Sequence, residues 1–216
     1  MLAQSLLVLL TLATTMPAAA SPGLDALNRF YNEVRSLDTE FYQVLIDGDG
    51  EIVQKGRGRF LLTRPSRFRW EYQEPFRQLI ISDGRLFWFY DVDLAQVTER
   101  SAADTLQGSP AALLAGGGDI NAQFVVTDLG ARRDLHWVRL VPRQQNGDFS
   151  EILLAFTQSQ RPKLMELRDT LGQTTQITFD NLHINPRVSE RSFQFQPPPG
   201  VEVIRDGLGL QTYPEQ

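Results

Sequence analysis

The chain has 216 residues, with 21 Lys+Arg against 26 Asp+Glu, a formal net charge of -5 and no cysteine. Without thiols there is no disulfide framework, thiolate nucleophile, zinc-thiolate site or iron–sulfur cluster, and the acidic balance argues against a nucleic-acid-wrapping protein. His136 and His183 alone give a multi-histidine metal site or a His-driven triad little to draw on, whereas 13 Phe, 5 Tyr and 3 Trp supply ample material for one hydrophobic core.

Residues 1–20 carry no charged side chain, run apolar from Leu6 to Leu12 and close on Pro17-Ala18-Ala19-Ala20 before Ser21. This reads as a secretory signal peptide with an Ala18-x-Ala20 cleavage site, although its start lacks the usual Lys or Arg. The apolar run is shorter than the about 20 residues an anchoring helix needs. A bacterial lipoprotein must carry Cys directly after its cleavage site, and Ser21 stands there instead. Residues 21–216 are therefore expected as a single exported domain, free of a lipid anchor.

From Pro22, the residues Leu24, Leu27, Tyr31 and Val34 recur at three- and four-residue spacing among polar neighbours, which predicts one amphipathic helix. The period then changes to two. Phe41 to Ile46 leads into the double turn signal Asp47-Gly48-Asp49-Gly50, and Ile52 to Leu62 returns as a strand. Gly56 and Gly58 within that strand suggest a bulge or strong curvature. Phe68, Trp70 and Tyr72 share one strand face with Arg69, Glu71 and Gln73 on the other, and Pro75 ends the run. Leu79 to Ile81 and Leu86 to Tyr90 flank the tight turn Ser82-Asp83-Gly84.

Further strands are expected at Ala122 to Leu129, Leu135 to Val141, Glu151 to Thr157, Lys163 to Asp169, Thr174 to Phe179 and Ser192 to Gln196. Ser109, Pro110 and Gly116-Gly117-Gly118 bracket a short helix as N-cap, first helical residue and exit. Pro197-Pro198-Pro199-Gly200 begins an extended tail. About ten or eleven short strands at this spacing indicate an all-antiparallel sheet, either a barrel or a strongly curled half-barrel, with two or three helices on it.

The sequence holds no GxSxG, HExxH, P-loop or post-strand GxGxxG motif. Gly116-Gly117-Gly118 follows a helix instead of preceding one, the wrong order for a phosphate loop. Asp83, Asp91 and Asp93 fall at hairpin ends, where solvated turn carboxylates are the ordinary role, with a hydrolase-type carboxylate pair as the alternative. His136 and His183 read as hydrogen-bonded structural side chains. Leu86 to Tyr90 is apolar on both faces, so either the second face touches something else or the sheet curls around an apolar ligand. Arg57, Arg59, Arg64, Arg67, Arg69 and Arg77 concentrate positive charge on a short stretch, as a solvated strand face or a site.

Three blocks in series carry a family resemblance. They are Gly58-Arg59-Phe60-Leu61-Leu62-Thr63-Arg64-Pro65-Ser66-Arg67-Phe68-Arg69-Trp70, then Ser82-Asp83-Gly84 with Trp88-Phe89-Tyr90-Asp91, then Phe193-Gln194-Phe195 with Pro197-Pro198-Pro199-Gly200-Val201. In order and spacing they resemble the periplasmic outer-membrane lipoprotein carriers, the LolA family, from the mature start to about Arg205. Residues 206–216 fall outside the likeness as an extra C-terminal tail.

The resemblance implies a mainly β fold with helices, an unclosed antiparallel half-barrel whose helical lid covers a hydrophobic cavity. It implies a monomeric periplasmic carrier without catalytic residues, metal or cofactor. Such a carrier accepts the acyl chains of outer-membrane lipoproteins from an inner-membrane ABC transporter and delivers them to an outer-membrane receptor. Ser21 in place of Cys matches the carrier, since the receptor of the same fold is itself a lipoprotein.

Residue by residue, Arg64 matches the motif arginine that bonds to lid-helix carbonyls in the closed carrier, and Phe68 matches a cavity-mouth position linked to partner and cargo handling. Trp70 matches a cavity aromatic, with Phe60, Leu62, Leu79, Ile81, Phe87 and Phe89 expected to line the same cavity. Leu27, Tyr31, Leu113 and Leu114 fall on the lid. Ala111 and Ala112 stand where larger apolar residues are common, which implies a looser seal. The alternatives are a general lipid binder of the same fold and an exported β-barrel hydrolase.

Overall fold

Period-two patterning from Ser36 onward builds one long sheet. A computed structural model describes residues 21–105, 110–116, 119–144 and 149–205. The expected signal peptide, Ser109, the tail 206–216, Gly117-Gly118 and the side chains of Ala111 and Ala112 lie outside what it describes.

The elements are α1 (Pro22–Glu33), β1 (Ser36–Ile46), β2 (Ile52–Thr63), β3 (Arg67–Glu74), β4 (Gln78–Asp83), β5 (Leu86–Asp91) and β6 (Gln96–Ser101). Then follow α2 (Ala102–Thr105), α3 (Pro110–Ala115), α4 (Ile120–Gln123), β7 (Phe124–Arg132), β8 (Leu135–Pro142), β9 (Phe149–Phe156), β10 (Pro162–Asp169) and β11 (Thr174–Ile184). A 3-10 turn (Glu190–Phe193) and β12 (Glu202–Arg205) complete the elements among the described residues.

All twelve strands among the described residues join one sheet in the order β12-β6-β5-β4-β3-β2-β1-β11-β10-β9-β8-β7. Its two edges, β12 and β7, do not pair with each other, so the sheet curls without closing. Every pairing is antiparallel except β12 on β6, which is parallel. That corrects two expectations for the C-terminal segment. The stretch read as a strand at Ser192 to Gln196 begins as a 3-10 turn with Phe193 buried, and the segment past Gly200 returns to the sheet edge as β12.

Local chemistry sets the turns and bends. Asp47 closes the β1–β2 hairpin by accepting the Asp49 and Glu51 amides, with Gly50 at φ +90°. The bulge read from the β2 glycines lies between Arg57 and Gly58. A Cβ on Gly58 would stand 1.8 Å from the Glu71 carbonyl oxygen, so only glycine lets β3 approach so closely there.

The sheet carries apolar residues on both faces. On the concave face, Phe41, Phe60, Leu62, Phe68, Trp70, Val138, Leu140, Ile152, Leu154, Met165, Leu167 and Ile177 form a continuous core beneath α1 and α3. On the other face, Ile81, Trp88 and Val97 form a second core with Leu79, Leu86 and Tyr90, covered by Phe195, Val201 and Val203. The two-sided apolarity of β5 is thus met by the chain's own C-terminal segment. Phe195 lies 6.0 Å from Trp88 and 5.8 Å from Tyr90, centroid to centroid.

Candidate functional site

Strand alternation places Phe60 and Leu62 of β2 and Phe68 and Trp70 of β3 side by side on the concave face, all at most 2% exposed. Trp70 contacts Phe60 at 4.5 Å and Phe41 at 4.9 Å between ring centroids. Phe87 packs half-buried against this group, and Phe89 lies on the same side of β5. The Trp70 indole N–H is buried without a hydrogen-bond acceptor among the described residues, and the Tyr72 ring lies 6.4 Å away, centroid to centroid.

Three expectations change. Leu79 and Ile81 do not face this surface; they lie in the second core under the C-terminal segment. The β4 run Leu79-Ile80-Ile81 is apolar throughout, and only Ile80 packs on the concave side. Phe68 does not stand at an open rim either. It is 0% exposed, with its ring 6.4 Å from that of Phe60.

Two helices cover the concave face. α1 presents Gly23, Ala26, Leu27 and Phe30 to the interior, packing over β7, β8 and β9, while α3 places Leu113, Leu114 and Ala115 against β3. Leu27 and Leu114 are buried, and Leu113 is 8% exposed. Phe30 was missed by the helical stripe, although it follows Leu27 by three positions and is only 2% exposed.

Arg64 sits between these helices at the end of β2. Its Nη1 donates to the carbonyls of Phe30 at 2.7 Å, Tyr31 at 2.8 Å and Val34 at 3.1 Å, and its Nη2 donates to Leu114 at 2.9 Å. The last carbonyls of a helix have no partner within it and carry partial negative charge, so a cation is favoured there. α1 has no basic residue in its own last turn, and Arg64 supplies that charge from the sheet. Asn185 Nδ2 takes the neighbouring Glu33 carbonyl at 3.1 Å. The guanidinium also lies over two rings, 4.7 Å from the Phe30 centroid and 5.0 Å from that of Tyr31. Burial pulls the Arg64 pKa down, yet its reference value leaves it cationic.

The end of α3 is held by donors from outside it. Tyr31 Oη donates to Leu113 at 2.8 Å, Arg64 to Leu114, and the Ser66 amide to Ala115 at 3.1 Å. Burial pushes the Tyr31 phenol well above its ordinary pKa, so it stays a neutral donor. Ser66 and Asn185 had no signal in the sequence, because their partners are main-chain groups: the Ala115 carbonyl for the Ser66 amide, and the Glu33 carbonyl with the Arg35 and Ser36 amides for the Asn185 side chain.

The other arginines of the cluster do different work. Arg57 pairs with Glu74, Arg59 with Asp38, Arg67 with Glu190 and Arg69 with Glu71, all outside the concave core. Arg59 and Arg69 also border an outer cleft of about 330 Å³ with Leu61, Glu71, Arg191 and Ser192. Asp83 and Asp91 accept turn amides, from Arg85 and Leu86 and from Asp93 and Leu94 respectively. His136 bonds to Gln158 at 3.0 Å.

A family model described as outer membrane lipoprotein carrier protein LolA matches residues 32–196. The outer-membrane lipoprotein carrier protein of Nitrosomonas europaea is 38% identical over 200 residues, covering 93% of this chain and 97% of that protein. Its counterpart in Methylococcus capsulatus is 39% identical over 180 residues, covering 83% and 86% of the two chains. The crystal structure of an uncharacterized conserved protein from Thermus thermophilus shares the fold, with a TM-score of 0.55 at 15% identity over 85% of this chain and 98% of that one. With a family match over most of its length and relatives this similar end to end, the chain belongs to the LolA family of outer membrane lipoprotein carrier proteins.

Proposed function

We propose that this protein is a periplasmic shuttle that takes acylated lipoproteins from an inner-membrane ABC transporter and hands them to an outer-membrane receptor. The observation that carries this reading is the aromatic concave face of an unclosed sheet, covered by two helices whose ends are held by one arginine. Phe60, Leu62, Phe68, Trp70, Phe87 and Phe89 are the surface offered to acyl chains, and α1 with α3 is the lid.

Magnitudes say how such a carrier must work. Each buried methylene contributes about 0.8 kcal/mol, so acyl chains left in water cost tens of kcal/mol. A carrier that recovered all of that would approach the roughly −18 to −21 kcal/mol ceiling of non-covalent affinity and never release its cargo. The closed lid supplies the offset. Loading must part Arg64 from its carbonyls and lift α1 and α3 from the core, and those lost contacts lower the net affinity. The sequence has no P-loop, so loading is driven by the transporter and unloading runs downhill to a tighter receptor.

The test is release of a radiolabelled lipoprotein from transporter-containing inner-membrane vesicles on adding ATP and the purified mature chain. A soluble one-to-one complex is expected. Lipoprotein that stays with the vesicles while a related carrier releases it overturns the reading. A general lipid binder of this fold would take free fatty acids or phospholipids from the same vesicles without requiring ATP.

A further inference from the structure

We infer that Tyr31 is a second, separate lid latch, a positioning residue that joins α1 directly to α3 and sets how tightly acyl cargo is held. The three carbonyls ending α3 are met by three donors of different origin. Leu114 takes Arg64 from the sheet, Ala115 takes the Ser66 amide from the β2–β3 turn, and Leu113 takes the Tyr31 hydroxyl from α1. Two of these donors tie α3 to the sheet. Tyr31 alone among them ties one lid helix to the other.

The geometry makes this bond sensitive to opening. The Tyr31 ring is braced by the Arg64 guanidinium 5.0 Å from its centroid and by Phe30 edge-on at 5.5 Å. The hydroxyl is therefore aimed at Leu113 and has no second described partner. If α1 and α3 part over apolar cargo, the phenol and the Leu113 carbonyl both lose their partner where acyl chains replace it. A buried polar group left unmet is costly, so the bond favours the closed, empty state. Removing it should make acyl cargo bind more tightly and leave more slowly. An ordinary packing residue would have the opposite effect.

Tyr31→Phe removes only the hydroxyl and keeps the ring beneath Arg64. Two measurements are made on the full mature chain and its variant. The first is amide hydrogen exchange in the cargo-free protein, where the last turn of α1 and residues 113–115 should exchange faster while β8 to β10 stay unchanged. The second is binding and dissociation of a fluorescent diacylglyceryl-cysteine peptide, where affinity should rise roughly two- to tenfold, the range of one neutral hydrogen bond. In an Arg64→Leu background the same change should have a smaller effect, because the turn is already loosened.

Unchanged lid exchange overturns the latch. Faster lid exchange with unchanged or weaker acyl binding overturns its role in cargo retention. The affinity arm rests on the carrier reading, whereas the exchange arm does not. Faster exchange together with no acyl binding by either protein leaves the latch standing and refutes the carrier reading.

Discussion

Replacing Arg64 with leucine is the sharpest perturbation of the closed state. Nη1 has two hydrogens shared among three carbonyls at 2.7, 2.8 and 3.1 Å, and Nη2 adds one bond at 2.9 Å, so the side chain makes about three full bonds and not four. Bonds to a charged group contribute about 1.5–3 kcal/mol each. Holding the guanidinium largely out of water takes several kcal/mol back. The remainder is about 2–4 kcal/mol in favour of closure, or roughly 30- to 1,000-fold in the equilibrium against cargo. Arg64→Leu should therefore fold and load but hold cargo too well. The assay is transfer of a preformed carrier–lipoprotein complex to purified receptor in liposomes, followed by sedimentation, with circular dichroism to verify the fold. Handover at the native rate by a folded, loaded variant would refute the latch and the energy balance built on it.

Four further outcomes probe the same structure. Trp70, in a background carrying Trp88→Phe and Trp137→Phe, should change emission when an acyl peptide binds, because its ring contacts Phe60 and Phe41 on the face proposed for cargo; an unaltered spectrum with binding shown separately places cargo elsewhere. Ile81→Ala should cost about 2–5 kcal/mol in denaturant melts yet leave acyl affinity unchanged, since Ile81 lies in the second core; a matching loss of affinity returns it to the cavity. Gly58→Ala should destabilise by at least about 1–3 kcal/mol, because its Cβ would meet the Glu71 carbonyl at 1.8 Å, and a native melting temperature would contradict that register. Asp38 has its pKa lowered first by the hydrogen bond from Arg59, so its contribution is present above the unfolded carboxylate value near about 4 and fades as pH falls through the lower folded value. With Arg59 exposed that contribution is below about 1 kcal/mol, and the melting curves of Asp38→Asn and the native protein should differ slightly at neutral pH and converge in acid.

Period-two alternation made β2, β3 and β8 to β11 legible, because buried side chains recur at every second position along part of each, whereas β5, with only Trp88 buried, was readable from its apolar run after a tight turn. β6 was not foreseen: in Gln96-Val97-Thr98-Glu99-Arg100-Ser101 only Val97 is apolar, and that one residue is drawn into the second core. Alternation also fails where both faces are apolar. At Leu79-Ile80-Ile81 nothing in the residues says which side chains meet the lid, and the answer depended on a cover supplied by Phe195, far along the chain. Arg64 could be singled out only through the family likeness. Its partners are main-chain carbonyls, which leave no mark on the identities of the residues that carry them. The same holds for Ser66 and Asn185. Phe30, by contrast, was readable from its spacing to Leu27.

Two cores on opposite faces of one sheet change what opening the lid involves. The interior beneath α1 and α3 is the one whose contacts cargo would replace, so a loaded protein gives up part of its own hydrophobic packing. A protein with a single interior would then risk unravelling whenever its ligand left or arrived. Here Ile81, Trp88 and Val97 keep a lining under Phe195, Val201 and Val203, and β12, the edge strand, fastens that lining to the sheet by pairing with β6. The outer face of strands β4 to β6 thus retains a folded anchorage, while Ile80 and Phe87 on the opposite face belong to the core beneath the helices. On the proposed carrier reading, the C-terminal segment works as a backing plate: one side of the sheet is stripped and refilled while the other preserves the curvature that the next cargo must fit.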